Sequence, residues 1–342
     1  MKKDILSMTL PELEADITSL GEKKFRAGQL YDWLHKKRAA SFYECSNLPK
    51  NLTAVLDERY EIKTVNIKRR LESKIDGTIK YLYEFGDGER CETVMMSYKH
   101  GNSLCISTQV GCKMGCSFCA STKAGYVRDL LPSEMLLQVY ESERDSSRKV
   151  ESLVLMGIGE PLDNYDNVMR FLELLSSPEG KNLSLRHVSL STCGVVPRIR
   201  ELAEAGLGLT LSVSLHAPTD EKRNAIMPVN KRYGTSELME ACKFYFSKTG
   251  RRISFEFALI SGVNDDAATA KELIRLLKPV SPCHVNLIPV NEIREREYRK
   301  SNRVREFQKM LTEGGVNATV RRTLGADINA ACGQLRRDSG QI

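Results

Sequence analysis

From residue 103 onward the chain alternates strand, loop and helix, and that alternation restricts the fold more than any other feature. Short apolar runs at Leu104–Val110, Ser152–Met156, His187–Ser191, Leu209–Leu215, Arg252–Ile260, Cys283–Ile288 and Asn317–Arg322 have the length of strands. Between them, Ser133–Arg144, Tyr165–Leu175, Val196–Glu204, Ser236–Ser247, Ala267–Leu277 and Ser301–Glu313 carry helical periodicity. Strands that alternate with helices pair in parallel through right-handed crossovers. Six or more such units in about 220 residues suit an open or partial barrel better than a closed eight-fold one. The expected class is α/β, a partial (β/α)6 barrel with a small helical N-terminal domain and a short β extension.

The residues before the repeat have a different character. Thr9 and Glu12 form a capping-box signature, after which Leu10, Leu13, Ile17 and Leu20 share one helical face. Ala27–Leu34 and Leu52–Tyr60 read as two further helices. Beyond residue 64, Val65, Ile67 and Leu71 alternate with polar residues up to Asp76-Gly77, and Ile79, Tyr81 and Tyr83 alternate after it, which predicts a hairpin. Asp87-Gly88 then leads to a third strand at Glu92–Ser97. The expected division is a helical accessory domain over 1–60, a β extension over 61–98, the barrel over 99–325 and a C-terminal segment over 326–342.

Charge and cysteine content bound the function. The net charge is +7, and residues 294–342 hold 11 basic against 6 acidic side chains. The cluster of Arg294, Arg296, Arg299, Lys300, Arg303 and Arg305, followed by Arg321-Arg322 and Arg336-Arg337, suggests a polyanionic partner such as nucleic acid. A solvated helix face interleaved with Glu295, Glu297 and Glu306 would account for part of the same run. Met1-Lys2-Lys3 is followed at once by Asp4, and no run approaches the roughly 18 apolar residues of a membrane span, so a cytoplasmic protein without membrane contact is expected. Ten cysteines in a reducing compartment imply metal or redox chemistry for some and packing for the rest.

In parallel α/β folds chemistry gathers where strands end. Here the first strand is followed by Cys112-x3-Cys116-x2-Cys119, the second by Gly157-Ile158-Gly159-Glu160-Pro161, the third by Ser191-Thr192-Cys193. The fourth ends at Ser214-Leu215-His216 and the sixth leads to Asn291. Three closely spaced thiolates are one short of a closed tetrahedral zinc site or a four-cysteine cluster. They leave one iron of a four-iron cluster open to a small molecule. A zinc site completed by a distant residue, as in a zinc-stabilised RNA-binding protein, is an alternative, and a redox Cys116-x2-Cys119 pair is another. Neither gives a role to the whole set of strand-end residues. Cys45, Cys91, Cys193, Cys242 and Cys283 read as packing residues, with Cys91 facing away from Glu92.

The cysteine spacing, with Phe118 before the last thiol, resembles the radical S-adenosylmethionine (radical SAM) superfamily, and Gly157–Pro161 resembles its second-strand motif. Cys105–Cys112, Leu215–Pro218, His284–Asn291 and Ile328–Leu335 resemble, within it, the RlmN/Cfr family of adenine methyltransferases, over nearly the whole chain. Ile158 stands where that family often has Met, and Asn329 occupies a variable position. Glu160-Pro161-Leu162 and Arg321–Gly325 resemble the RlmN branch rather than the Cfr branch, which methylates adenine carbon 8.

The resemblance implies a 4Fe–4S cluster on Cys112, Cys116 and Cys119, and S-adenosyl-L-methionine held by Gly159, Glu160, Ser191, Ser214, Leu215, His216 and Asn291. It implies methylation of adenine carbon 2 in 23S rRNA, at the peptidyl-transferase centre, and in tRNA, 3′ of the anticodon. Two S-adenosyl-L-methionine molecules are used per turnover. One methylates Cys332; the other yields a radical that activates the S-methyl group for addition to the base. Glu92 then removes a proton, and Cys105 attacks the Cys332 sulfur to form a transient disulfide. An external electron donor and a thiol reductant complete the cycle. From the residues alone, a strand glutamate such as Glu92 is expected to face solvent.

Overall fold

The computed structural model describes residues 2–291 and 298–330. Arg294, Arg296, Cys332, Arg336 and Arg337 lie outside the described residues. Helix α1 (Leu10–Ser19) begins at Thr9, where the capping box forms: Glu12 donates its amide to Thr9 Oγ1, and the Thr9 amide donates to Glu12 Oε2 at 2.8 Å. Helices α2 (Phe25–Asp32) and α3 (Lys50–Arg59) follow. Their apolar faces, including Leu13, Ile17, Leu30 and Leu56, belong to the same hydrophobic core as the barrel.

Specific contacts hold these helices in place. Ser133 Oγ, at the start of α4 (Pro132–Ser146), donates to the Asp4 carboxylate at 2.6 Å. The buried ring of His35 reaches Tyr140 Oη on the same helix at 3.0 Å. Arg170 of α5 (Tyr165–Ser176) pairs with Glu12 at 2.8 Å.

The main sheet has ten strands in sequential order. Strands β1 (Val65–Glu72), β2 (Ile79–Phe85), β3 (Arg90–Tyr98) and β4 (Gly101–Cys105) form an antiparallel ladder. Strands β5 (Val150–Leu155), β6 (Val188–Thr192), β7 (Thr210–Ser214), β8 (Ile253–Leu259), β9 (Cys283–Pro289) and β10 (Ala318–Val320) run parallel to β4. β4 therefore belongs to both halves. Helices α4, α5, α6 (Val196–Glu204), α8 (Thr235–Thr249), α9 (Ala267–Leu277) and α10 (Val304–Glu313) occupy the crossovers, with a short α7 (Asp220–Ile226) after β7.

The strands have a period of two. Leu190, Leu211, Val213, Phe255, Phe257, Val285 and Leu287 enter the core, while Ser189, Ser212, Ser254, Glu256 and Asn286 line an interior cavity of about 580 Å³. A fully apolar run would have filled that space, as in a closed barrel.

Two boundaries differ from the sequence reading. The first barrel strand ends at Cys105, not at Val110. Ile106 remains bonded to the β5 side, donating to the Val154 carbonyl at 3.0 Å and accepting from the Gly157 amide at 3.0 Å. The chain then turns, and Gln109–Gly111 pairs antiparallel with Tyr126–Asp129. Ile106 and Val110 are both buried, so the apolar pattern runs unbroken through a change of partner. The last helix begins at Val304, not Ser301, because Ser301 Oγ donates instead to Asp265 at 2.6 Å. Among the described residues no helix is long and apolar enough to cross a membrane.

Thr9→Ala removes one half of the capping box and is expected to lower stability by about 1 kcal/mol, read as a shifted urea midpoint with an unchanged slope. Burial lowers the His35 pKa to about 3. The unfolded chain takes up that proton near pH 6.5 while the folded chain does not, so stability present above pH 6.5 is lost as the pH falls. The loss is at most about 1.4 kcal/mol per pH unit. His35→Gln should lose less stability between pH 7 and 5.5 than the parent; equal losses would exclude His35 as a source.

Candidate active site

The loops that leave β5, β6, β7 and β9 converge with the Cys112–Cys119 loop on one cavity of about 160 Å³. Cys112, Cys116, Cys119, Gly159, Glu160, Ser191, Ser214, His216 and Asn291 all contribute to its wall. Of the residues expected there, Leu215 alone lies behind the wall, fully buried, with its carbonyl accepting from Arg223 at 3.0 Å.

Glycine is needed where the second loop passes under the first. A Cβ on Gly157 would sit 2.6 Å from the Ile106 carbonyl oxygen, and one on Gly159 would sit 2.8 Å from the Gln109 nitrogen. Gly159 also has φ +108°, a conformation side chains resist. This close approach brings the Glu160 amide onto Gln109 Oε1 at 2.8 Å. The Glu160 carboxylate is buried and accepts from the amides of Cys193 at 2.7 Å and Leu162 at 3.1 Å. Burial raises its pKa, and the two amides oppose that rise.

His216 closes the opposite wall. Its backbone is left-handed, φ +56°, which aims the ring inward. Nδ1 accepts from the Ala258 amide at 2.9 Å, and the ring meets Phe118 edge-on at 4.7 Å. Burial lowers its pKa to about 3, with the nearby Arg223 acting in the same direction, so it is neutral at physiological pH.

The cysteine loop is pinned by the Ser117 amide donating to the Ile226 carbonyl at 2.9 Å and by Lys113 pairing with Asp163 at 2.9 Å. Burial pushes the Cys112 thiol up to about 12 and Cys116 well above its usual range, and each thiolate raises its neighbours further. Three thiolates in such a wall need a cationic centre among them. Among the described residues no group of His, Cys, Asp and Glu is gathered as a single metal ion requires. A four-iron cluster takes one thiolate per iron and does not ask three sulfurs to meet at one point. Three buried or half-buried thiols in one cavity wall fit that group.

Several functional neighbours carry no motif. Arg223 is fully buried and donates to the carbonyls of Leu215, Cys193 (2.6 Å) and Ser214 (3.1 Å) and to Asn230. Its position on a short helix gave no signal, since arginine there normally faces water. Glu256 is buried in the cavity wall, 2.8 Å from Asn286 Nδ2 and 3.7 Å from Arg321. Its place in the period-two pattern of β8 was the available clue. Cys193, read from the sequence as a packing residue, lies in the same wall and packs in one apolar cluster with Cys116.

A second, smaller cavity adjoins the first, sharing Met156, Ile288, Asn291 and Arg321. Cys105 lines it with Val94, Met96, Leu324 and Ala330. Glu92 lies on the same face of β3 as Val94 and Met96, and it is 1% exposed rather than solvent-facing. Residues 324–330 cover that face, and the Lys80 ammonium meets the carboxylate at 2.9 Å. Cys91 points to the opposite face, into the main core. Cys332 is outside the described residues, two positions past Ala330.

Residues 106–277 match the radical SAM superfamily, and residues 3–62 match the N-terminal domain of ribosomal RNA large subunit methyltransferases. The chain is 53% identical to a probable dual-specificity RNA methyltransferase RlmN of Lachnoclostridium phytofermentans, covering 98% of this chain and 95% of that protein. It is 52% identical to the Clostridium perfringens protein of the same name, covering 98% and 97%. The solved structure of a radical SAM methyltransferase from Sphaerobacter thermophilus superposes with a TM-score of 0.93 at 40% identity, covering 98% of this chain and all of that one. The strand-end cavity with its three thiols and the helical N-terminal region thus have one common explanation: the chain belongs to the RlmN family of radical SAM RNA methyltransferases.

Proposed function

We propose that the enzyme methylates carbon 2 of adenine in 23S rRNA, at the peptidyl-transferase centre, and in tRNA, 3′ of the anticodon, through a methyl group carried on Cys332. The observation that carries this reading is the second cavity. It brings Cys105 into one apolar cluster with Ala330, two residues before Cys332, beside the cavity of the three cluster thiols.

When bound to Cys112, Cys116 and Cys119, the 4Fe–4S cluster with S-adenosyl-L-methionine supplies radical chemistry that an ordinary polar methyl transfer to an electrophilic carbon lacks. Two S-adenosyl-L-methionine molecules are used per turnover, one as methyl donor. Gly159, Glu160, Ser191, Ser214, His216 and Asn291 hold S-adenosyl-L-methionine from the cavity wall, with Leu215 placed by Arg223 behind them. Neutral His216 and the hydrogen-bonded Glu160 carboxylate offer fixed polar atoms without uncompensated charge.

The remaining steps belong to the second cavity. Cys332 is joined to the base through its methyl carbon, Glu92 takes the proton from the adduct, and the Cys105 thiolate attacks the Cys332 sulfur. The sulfur–carbon bond breaks with its electron pair left on the carbon joined to the base, which takes a proton to become the methyl group, as a Cys105–Cys332 disulfide forms, and an external thiol reductant returns both cysteines to thiols. An external electron donor serves the cluster. The target adenine must be unstacked, because carbon 2 is out of reach inside a helix. Phosphate contacts fall to the basic C-terminal region and the N-terminal helices. On the latter, Lys37 lies 3.9 Å from the Trp33 ring centre and Phe25 is exposed beside Arg26.

Anaerobically reconstituted protein should bind about four irons and four sulfides, and Cys112→Ala should hold no intact cluster; colourless, zinc-loaded protein would overturn the assignment. Cys332→Ala should still cleave S-adenosyl-L-methionine and transfer no methyl group to RNA. Mass spectrometry of RNA from cells lacking the protein should show 2-methyladenosine missing from both rRNA and tRNA, whereas loss of 8-methyladenosine would assign the other carbon.

A further inference from the structure

The machinery described so far gives Glu92 a role and leaves its buried partner, Lys80, without one. Lys80 stands opposite Val94 and Glu92 opposite Leu82 in the β2–β3 register, so the two are diagonal neighbours on one face of the sheet. The Lys80 side chain is 9% exposed and that of Glu92 1%, with 2.9 Å between Nζ and Oε1. A buried ion pair adds little net stability over an apolar pair of the same volume, so stability alone does not account for it.

The same ammonium makes a second contact. Nζ donates to the carbonyl oxygen of Asn329 at 3.1 Å. Asn329 is in a left-handed conformation, φ +50°, three residues before Cys332. The stretch leading to it is tied to the β1–β2 turn at other points. Asp327 accepts from Ser73 Oγ at 2.7 Å and from the Lys74 amide at 3.0 Å, and the Gly325 amide donates to Asp76 at 2.9 Å. The hairpin thus acts as a mount for the segment that precedes the methyl-bearing cysteine, and Lys80 is where that mount touches Glu92.

We infer that Lys80 is a positioning residue for adduct breakdown, setting the Glu92 carboxylate relative to the main chain that carries Cys332 by binding both with one ammonium group. This rests on the reading of Glu92 as the base and Cys332 as the methyl carrier. A base displaced from its proton loses most of its advantage, which is about 100-fold or more for general base catalysis. Neither Lys80 nor Glu92 lines the cavity of the cluster thiols, so the defect is confined to the later steps.

The test uses the full-length, cluster-reconstituted enzyme with an RNA substrate. Lys80→Met should lower methyl transfer about 100-fold and leave a covalent protein–RNA adduct visible on denaturing gels, with iron content and first-turnover S-adenosyl-L-methionine cleavage within about twofold of the parent. Lys80→Arg, which keeps the charge and the donors, should restore transfer to within about tenfold. Transfer by Lys80→Met within twofold of the parent overturns the inference, as does an absent adduct or first-turnover cleavage that falls in parallel with transfer. If Lys80→Met does not fold, the same outcomes are read on Lys80→Gln. Glu92→Gln run alongside separates the two readings: an adduct in Glu92→Gln with normal turnover in Lys80→Met removes only Lys80, while normal turnover in Glu92→Gln removes the base itself.

Discussion

A single guanidinium shut off from the protein surface organises the centre of this protein. Arg223 binds the carbonyls at the ends of β6 and β7 and reaches Asn230 on the next turn, so four acceptors fix one planar cation. Breaking such an arrangement leaves a buried charge uncompensated, a cost of several kcal/mol. The arrangement sets the spacing of Ser214, Leu215 and Cys193, and through the Cys193 amide it sets Glu160. It also places permanent positive charge near Cys116, where thiolates must be stabilised. The cavity wall is thus built outward from a residue that does not line it.

Much of the architecture was legible in the sequence because the signals were redundant. Six of the seven barrel strands and all six helices fall within a few residues of where periodicity put them, the first strand overlaps its expected range only at Leu104-Cys105, and the capping box at Thr9 formed as its residues implied. The cysteine spacing and the strand-end residues collected at one rim, as parallel topology requires. What could not be read was partner choice. Ile106–Val110 carries an unbroken apolar pattern, yet the hydrogen bonds change hands in the middle of it. Glu92 looks like any solvent-facing strand glutamate until residues 324–330 fold across it. Arg223 and Glu256 acquire their surroundings from elements more than twenty residues away or from both neighbouring strands, information absent from any local window.

The two adjoining cavities differ in what lines them. One presents buried thiols, a neutral histidine and a hydrogen-bonded carboxylate; the other presents Cys105 and apolar side chains, with the Lys80–Glu92 pair further along the same strand face. Met156, Ile288, Asn291 and Arg321 form the partition that both share.

β4 is bonded antiparallel to β3 on one edge and parallel to β5 on the other. The extension and the barrel are therefore one continuous plate with no linker between them to serve as a hinge. An enzyme built this way does not close on its substrate by swinging its strands. Its RNA substrate is instead fitted to a sheet whose strands are bonded without a break from the extension through the barrel.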